Sequence, residues 1–205
     1  MIKKDREEIR RKFVKEYNKR YEPVRVGFKR LSSDAVIPTK AHASDSGFDL
    51  YASEDVIIEP GETVIVPTGI AIELPPGYEA QVRPRSGVTA KTKLRVQLGT
   101  IDNGYTGEIG VIVDNFRYTK DGVDILNGEV AASKSRQVDT IDGNTITLNK
   151  SYKAFPYLIR KGDRIAQLVV QELPKVKAFE VEEISDSERG TAGFGSTGSS
   201  TKGRE

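Results

Sequence analysis

The sequence lacks cysteine and tryptophan and has a single histidine, His42. Without cysteine the chain has neither disulfide bonds nor a thiol nucleophile. One histidine gives no basis for a histidine-rich zinc site, and it argues against a Ser-His-Asp triad. We therefore expect any general base to be a carboxylate, or less often a lysine or tyrosine. Any metal is expected to be a hard cation held by oxygen ligands, such as magnesium.

A strong charge of one sign and long apolar runs are also missing. The 32 Lys and Arg residues nearly balance the 30 Asp and Glu residues, so the net charge is +2 and gives no argument for a nucleic-acid surface across the whole chain. No run is apolar enough to cross a bilayer, and residues 1–21 lack the apolar centre of a signal peptide. Together with the absence of cysteine, this makes the cytoplasm the expected location.

The 205 residues suit one ordinary domain with additions, and 19 glycines and 9 prolines divide most of the chain into short runs. Residues 2–21 predict a helix, because Ile9, Phe13, Tyr17 and Tyr21 recur every four positions among charged residues. One narrow apolar stripe is typical of a helix that docks on another surface or frays.

From residue 24 onward the pattern becomes β. Alternating runs occur at 24–31, 55–84 and 93–100, separated by Pro-Gly, Pro-Pro-Gly and Thr-Gly turns. Repeated short strands with such turns predict an all-β sandwich, barrel or jelly roll. The pattern indicates no second helix and no internal repeat.

Residues 117–157 read as a polar insert. Its centre, "GEVAASKSRQ" at 128–137, fits either a short helix or a loop. "VDTIDGNTITL" at 138–148 predicts a hairpin, because Asp-Gly supports the positive φ of a tight turn. The turn is by itself a sufficient explanation for Asp142.

The glycine-rich stretch "RGTAGFGSTG" at 189–198 is a candidate anion site. Glycines let backbone N–H groups converge on an anion, and Arg189, Ser196 and Thr197 add donors. Phe194 offers a ring that stacks on a flat base. A flexible tail explains the same composition, and the spacing is not that of a Walker A loop.

The stretch "RPRSGVTAK" at 83–91 places Arg85, Ser86 and Gly87 side by side. A guanidinium, a hydroxyl and an unhindered backbone N–H suit phosphate oxygens, although a turn that ends a strand explains the same residues.

In "AHASDSGFDLYASED", Asp45 and Asp49 flank Gly47. Two explanations fit them equally: carboxylates that face a hydrated cation, or a turn aspartate and a strand-start aspartate. We interpret His42 as a surface or capping residue, since no second histidine completes a site.

The stretch "GTIDNGYTGEIGV" at 99–111 predicts a hairpin with Asn103-Gly104 at its turn. This places Asp102 and Tyr105 on either side of the tip. The Asp102 carboxylate can orient water, and the Tyr105 ring can form a flat wall against a sugar. Further along, Gln167 lies in an apolar run at 161–173. Its side chain therefore either forms a hydrogen bond in the core or contacts a ligand.

These stretches, taken in order over residues 44–198, resemble the five motifs of the trimeric dUTPases. The motifs are "SDSGFDLYA", "RPRSGVTA", "GTIDNGYTGEIGV", "GDRIAQLVV" and "RGTAGFGSTG". The resemblance implies a β-clip-like jelly roll that forms a homotrimer, with each site built from three subunits. It divides the chain into a helical extension at 1–22, the jelly-roll domain at 23–187 with the insert inside it, and an arm at 188–205 that closes over a neighbour's site.

The implied reaction converts dUTP and water to dUMP and pyrophosphate. Asp102 matches the aspartate that orients and activates water for attack on the α-phosphorus. Tyr105 matches the tyrosine that stacks under the deoxyribose and leaves no room for a 2′-hydroxyl. The backbone of Gly99, Thr100 and Ile101 matches the segment that reads the uracil edge.

The resemblance also implies phosphate contacts from two parts of the chain. Those residues are Arg85, Ser86, Gly87 and Gln167, and in the arm Arg189, Gly195, Ser196 and Thr197. Phe194 is expected to cover the uracil. Asp49 is expected to anchor water around the cofactor Mg²⁺, which the triphosphate itself chelates.

The insert resembles one found in dUTPases of phages of Gram-positive bacteria, which implies a bacterial cell or a phage-infected host. There the resemblance implies binding of a repressor of a mobile genetic element; a surface decoration without a partner explains the insert equally. Two rival functions are a dCTP deaminase of the same fold, whose motif three carries a catalytic Glu where this chain has Ile112, and a non-catalytic regulator that binds nucleotide and a protein partner.

Overall fold

A computed structural model describes residues 2–20, 23–117, 119–120, 123–124, 134–153, 155–188 and 190–191. The chain divides into two units, Met1–Pro174 and Lys175–Glu205. Within the described residues, no helix is both long enough and apolar enough to cross a membrane.

The first unit begins with the predicted helix and continues almost entirely as strands. The helices are α1 (Ile2–Arg20) and α2 (Ser86–Lys91). The strands before the insert are β1 (Gly27–Arg30), β2 (Phe48–Tyr51), β3 (Val56–Ile58), β4 (Thr63–Pro67), β5 (Ile70–Glu73), β6 (Tyr78–Pro84), β7 (Leu94–Val96), β8 (Gly99–Ile101) and β9 (Gly110–Asn115). Those within and after it are β10 (Thr119–Lys120), β11 (Val123–Asp124), β12 (Lys134–Thr140), β13 (Thr145–Lys153), β14 (Tyr157–Ile159) and β15 (Arg164–Glu172).

Three sheets surround one hydrophobic core. Their strand orders are β2-β15-β6-β8, β13-β12-β14-β3 and β4-β9-β7, and two-stranded ribbons pair β1 with β5 and β10 with β11. Core side chains come from each of the three sheets, among them Leu168, Ile159 and Val111. The predicted all-β jelly-roll class is confirmed.

The burial of individual strands follows their sequence pattern. β9 alternates, with Val111 and Val113 buried and Ile112 more than a third exposed, so one face packs on the core. β15 lies between β2 and β6, and its apolar run is largely buried. The buried strand predicted within 161–173 is therefore confirmed.

Helix α2 was not predicted, because six residues with a glycine and β-branched Val88 and Thr89 show no helical period. Tertiary contacts stabilise it instead. Val88 is buried, and the Thr92 hydroxyl donates to the Val88 carbonyl at 2.7 Å. The Arg95 guanidinium donates to the carbonyls of Thr89 and Thr92 at 3.3 and 3.1 Å, which satisfies carbonyls that a helix end leaves open.

The hairpin predicted in the insert is confirmed. β12 pairs with β13, and Gly143 takes φ 88° in the turn between them. Of the stretch at 128–137, residues 134–137 begin β12, and the rest lies outside the described residues.

The base of the insert belongs to the core of the first unit. Val138 and Thr140 are each 1% exposed, and Ile141 packs against the core cluster. β12 also runs parallel to β14, which continues the same sheet to β3. At least this part of the insert is therefore structural.

Candidate functional site

Three separate stretches of sequence meet in one cavity of about 580 Å³, here called the basic cavity. They meet because β15 lies between β2 and β6, which sets Gln167 opposite both Asp49 and Arg83. The lining includes the predicted residues Asp49, Arg85, Ser86, Gly87 and Gln167, together with Ala41, Ser44, Asp45, Ser46, Gly47, Arg83 and Val169.

The carboxylate of Asp49 lies between two guanidinium groups. Arg85 Nε is 3.3 Å from Asp49 Oδ1, and Arg164 Nη1 donates to Asp49 Oδ2 at 3.2 Å. The Asp49 side chain is 14% exposed, whereas those of Arg85 and Arg164 are 30% and 51% exposed. The two cations are therefore held beside the cavity and keep an open side toward solvent, where they can take an anion.

The two alternatives for Gln167 both find support in its surroundings. Its amide nitrogen donates to the Pro84 carbonyl at 3.0 Å, so the polar group is satisfied inside the sheet. The same residue lines the basic cavity. Gly47 permits this close packing, because a Cβ there would lie 3.1 Å from Gln167 atoms.

The other candidate residues of the first motif have structural explanations. Asp45 Oδ2 accepts a hydrogen bond from His42 N at 2.8 Å, which is the turn role that was one of its two alternatives. His42 is exposed, as expected of a surface residue. Asp49 lies inside β2.

The acidic residues of the basic cavity suit a metal ion that enters the cavity already bound to a ligand. Among the described residues, no group of three His, Cys, Asp or Glu side chains is arranged to hold a metal ion. Magnesium is commonly bound through one or two carboxylates plus substrate phosphates. Asp49 and Asp45 both line the cavity and supply carboxylate oxygens of that kind.

A second cavity of about 220 Å³, here called the turn cavity, holds the third stretch. Its lining residues are Val82, Gly99, Thr100, Ile101, Asp102, Tyr105, Glu108, Ile109, Gly110 and Ile112. Among the strands that the structure describes, β8 is the last of its sheet, so one of its backbone edges at this cavity has no strand partner there. A free edge offers N–H and C=O groups in the alternating pattern that can bind a base.

The hairpin predicted for 99–111 is wrong as a strand pair and correct as a turn. Tyr105 N donates to Asp102 O at 3.1 Å, and Gly104 takes φ 93°. However, β8 pairs with β6, whereas β9 pairs with β4 and β7, so the two strands lie in different sheets. The chain between them crosses from one sheet to another, which alternation along the sequence cannot reveal.

The ring of Tyr105 folds back toward the loop that carries it. Its hydroxyl donates to the Glu108 carbonyl at 2.9 Å. A Cβ at Gly107 would lie 2.5 Å from that hydroxyl, so only glycine leaves room for this arrangement. Tyr105 is 48% exposed and lines the turn cavity.

The two Thr-Ile-Asp turns differ in what their carboxylates do. Asp142 accepts hydrogen bonds from the Thr140 hydroxyl and from the Asn144 side chain, the latter at 2.9 Å. The hydrogen bond from Thr140 is the largest cause that lowers the pKa of Asp142. Within the described residues, by contrast, the Asp102 side chain makes no hydrogen bond, so its carboxylate is available to bind water.

The comparisons with known proteins identify the family of this chain. The profile of the dUTPase family matches residues 33–132 and 144–198. This chain belongs to the dUTPase family. A deoxyuridine 5′-triphosphate nucleotidohydrolase of Thermobifida fusca is 41% identical over 184 residues, which are 89% of this chain and 83% of that one.

Solved dUTPase structures of staphylococcal phages share the fold. The dUTPase of Staphylococcus bacteriophage 80alpha, in complex with dUPNHPP, superposes with TM-score 0.75 and 36% identity over 85% of this chain and 98% of that one. Phage dUTPases of this kind are described as controlling transfer of virulence genes. A mutant of the dUTPase from phage phi11 of S. aureus, in which a structural Mg(II) ion is coordinated, superposes with TM-score 0.70 and 30% identity over 79% of this chain and 99% of that one.

Asp102 and Arg85 of this dUTPase lie toward opposite ends of β6, although Val82 and Arg83, which line the two cavities, are neighbours within it. Val82 pairs with Gly99 and Ala80 with Ile101, so Asp102 leaves β8 near the level of Glu79. Arg85 follows six residues further along the chain, which corresponds to about 20 Å at the rise of a strand. This register places Asp102 near one end of β6 and Ser86 beyond the other end.

Some predicted site residues lie outside the described residues. They are Arg189, Phe194, Gly195, Ser196 and Thr197.

Sequence reasoning missed two arginines at the basic cavity. Arg83 lines it, and Arg164 pairs with Asp49. The period of two along a strand would have placed Arg83 on the same face as Arg85. No signal in the sequence links Arg164 to Asp49, because that contact depends on the pairing of β15 with β2.

Proposed function

We propose that the protein hydrolyses dUTP to dUMP and pyrophosphate, which keeps uracil out of DNA and supplies dUMP for thymidylate synthesis. The observation that carries the proposal is the sorting of the motif residues into two chemically distinct cavities. The basic cavity offers two arginines, a hydroxyl and a glycine N–H for phosphates. The turn cavity offers a backbone edge, a tyrosine ring and an unengaged carboxylate.

Asp102 is the catalytic residue in this proposal. Its carboxylate accepts a hydrogen bond from a water molecule and aligns the water for in-line attack on the α-phosphorus, with pyrophosphate as the leaving group. An aspartate of ordinary acidity is a weak base in bulk water. Orientation within ~2.6–3.2 Å of the water supplies much of the gain.

The turn cavity selects the nucleoside. The free edge of β8 at Gly99, Thr100 and Ile101 binds the uracil edge, and a tight fit leaves no space for the methyl group of thymine. The Tyr105 ring lies under the deoxyribose and excludes a 2′-hydroxyl. The size of this cavity, about 220 Å³, suits a single pyrimidine nucleoside better than a larger base.

The basic cavity binds the triphosphate. Arg85, Ser86, Gly87 and Gln167 contact the phosphate chain, with Ser86 near the scissile bridge. Asp49 would hold, through water, a magnesium ion bound to the triphosphate, and such an ion would supply positive charge that offsets the phosphate oxygens. Arg85 and Arg164 flank Asp49, so two guanidinium groups lie where they can offset the charge of phosphate oxygens.

We propose that the working enzyme is a homotrimer. The separation of about 20 Å along β6 supports this, because it suits a site in which Asp102 and Ser86 come from different copies. The arm residues Arg189, Gly195, Ser196 and Thr197 contact the γ-phosphate from a further copy, and Phe194 covers the uracil.

A substrate panel tests the reaction. The protein is incubated with Mg²⁺ and, separately, with dUTP, UTP, dTTP and dCTP, and both pyrophosphate and ammonia are measured. We expect pyrophosphate from dUTP at a rate about 100-fold above the other nucleotides, since exclusion of one methyl or hydroxyl group is worth up to roughly two orders of magnitude. Ammonia from dCTP would identify the deaminase instead, and unchanged dUTP would refute the proposal.

A second proposed role is binding of a repressor protein through the insert. The work on the 80alpha dUTPase, which links phage dUTPases to virulence-gene transfer, supports it. Replacing residues 120–133 with a short Gly/Ser linker leaves the buried Val138 and Thr140 in place. We expect this variant to hydrolyse dUTP normally and to lose the ability to release the repressor from DNA in a gel-shift assay.

A further inference from the structure

The turn that carries Asp102 has no β-ladder of its own. β8 and β9, which flank it, belong to different sheets. Residues 102–106 are exposed, and the bond from Tyr105 N to Asp102 O closes the turn on itself without joining it to another element. Side chains of the loop must therefore set where the Asp102 carboxylate lies.

Asn103, the residue directly after Asp102, joins the turn to the protein. Its amide nitrogen donates to the Leu74 carbonyl at 3.0 Å and to the Pro75 carbonyl at 2.8 Å. Both carbonyls directly follow β5, whose Ile70, Ala71 and Ile72 are buried. One side chain thus ties the exposed turn to the end of a strand that the core holds in place.

Glu108 joins the same loop to the other end of β5. Its Oε1 accepts a hydrogen bond from Gly69 N at 2.6 Å, and Gly69 directly precedes that strand. Ile109 N then donates to the Ile70 carbonyl at 2.8 Å. The loop therefore spans β5 and is attached at both ends, with Asn103 providing the attachment nearest to Asp102.

We propose that Asn103 is a positioning residue, whose amide fixes the turn on β5 and so holds the Asp102 carboxylate where it aligns the attacking water. The role requires a donor, because both partners are carbonyl oxygens that can only accept. An exposed turn without this anchor samples several positions, and displacement of a catalytic group by ~1 Å can cost up to about 100-fold in rate.

The chain contains a matched control in its second Thr-Ile-Asp turn. Asn144 follows Asp142 by two residues, and its amide nitrogen donates to the Asp142 carboxylate at 2.9 Å. That bond stays within the turn and joins it to no other element. Replacement of Asn144 therefore removes an exposed asparagine from a similar turn without releasing Asp102.

This inference rests on the proposed hydrolysis of dUTP. The test compares N103A, N103D and N144A with the unchanged protein. For each we would measure kcat and KM for dUTP, the Kd of a non-hydrolysable dUTP analogue with an imido bridge, and amide hydrogen exchange of segments 99–109 and 138–148.

We expect N103A to lower kcat about ten-fold while KM and the analogue Kd change less than two-fold, with faster exchange only in segment 99–109. In N103D, kcat should fall at least as much, because a carboxylate cannot donate to the two carbonyls and repels them. N144A should keep the original kcat.

Full kcat in N103A or N103D would overturn the inference, and so would an analogue Kd that rises in step with the loss of kcat. If the unchanged protein fails to hydrolyse dUTP, the proposed function fails instead. The exchange of segment 99–109 then still decides whether Asn103 anchors the turn.

Discussion

At the scale of single residues, the molecule contains the same tripeptide, Thr-Ile-Asp, in two settings. The carboxylate of Asp142 accepts hydrogen bonds from donors in its own turn, including the Asn144 amide. Asp102 lies in a turn that is held by its neighbour Asn103 instead, and it lines a cavity with Tyr105. What distinguishes the two aspartates is therefore which donors lie nearby, and the tripeptide itself carries no such information.

Neutralising each aspartate should separate these roles. D102N should lower kcat for dUTP roughly 100-fold or more, because an amide cannot take a proton from water, whereas binding of a non-hydrolysable dUTP analogue should persist. D142N keeps an oxygen that accepts from Thr140, so its kcat should stay within about two-fold of the original. Steady-state kinetics and calorimetric binding check both, and similar losses at the two positions would contradict the assignment of Asp102.

The half-buried Asp163 gives a prediction about pH and stability. Burial raises the pKa of Asp163 above 3.8, although the Arg160 backbone N–H and its charge oppose the shift. A raised pKa means that the native state holds the proton more tightly than the unfolded chain does. The contribution of Asp163 to stability is therefore fully present below about pH 4, the pKa of an unfolded aspartate, and is lost as pH rises through the raised folded pKa.

D163N should therefore increase the free energy of unfolding at pH 7 and leave it nearly unchanged at pH 3. The amide oxygen can still accept the hydrogen bond from Arg160 N, which Asp163 Oδ2 accepts at 2.8 Å. Urea unfolding of both proteins at the two pH values provides the measurement, and the exposed Asp186→Asn serves as a control. A D163N protein that is less stable at pH 7 would show that the hydrogen bond outweighs the burial of the charge.

At the scale of elements, sequence pattern predicted what depends on neighbours along the chain. Helix α1, the buried strand β15 and the turn at Asp142-Gly143 follow from periodicity and turn chemistry. Helix α2 could not be predicted in this way, because the hydrogen bonds to its carbonyl groups come from Thr92 and Arg95, outside its six residues. Likewise, pairing of β8 with β6 rather than with β9 is decided by packing between distant segments, which alternation does not encode.

The packing of the insert is a further feature that sequence pattern did not predict. Its sequence is polar, but the residues at its base pack as part of the core. Arg117, at its start, pairs with Asp139 at 2.6 Å, and its guanidinium lies 4.6 Å from the ring centre of Tyr157 near its end. The Tyr157 hydroxyl in turn accepts from Lys93 N at 3.0 Å. Only the part of the insert beyond this base is free to serve as an interaction module.

Truncation of Val138 should therefore destabilise the protein although it lies in an insert. V138A removes two buried carbons and leaves a cavity, so we expect a loss of about 2 kcal/mol in the free energy of unfolding. Thr147→Ala, at an exposed position of the partner strand β13, should change it by less than about 0.5 kcal/mol. Equal effects of the two variants in denaturant unfolding would show that the hairpin contributes nothing to the core.

At the scale of the whole molecule, the resemblance of the motifs predicts the site residues and their sharing among three subunits, whereas the sequence does not say where these residues lie in the fold. Residues from β2, β6 and β15 meet at one end of a sheet, whereas Asp102, which follows β8, lies toward the other end of β6. A chain with all its functional residues can thus be unable to assemble one site alone. The proposed homotrimer makes activity depend on assembly, and this gives a test that a site within one chain would fail.

Mixing two inactive variants should restore activity. D102N lacks the carboxylate of the turn cavity and R85A lacks a cation of the basic cavity, so either variant alone should be nearly inactive. If each site takes Asp102 from one copy and Arg85 from another, random mixing gives an intact pair with chance one half times one half. Co-refolded equal amounts should therefore recover about one quarter of the original kcat per site. Recovery should require refolding or subunit exchange, and simple mixing of stable assemblies should give none. Persistent inactivity after co-refolding, with assemblies of normal size, would show that Asp102 and Arg85 act within the same chain.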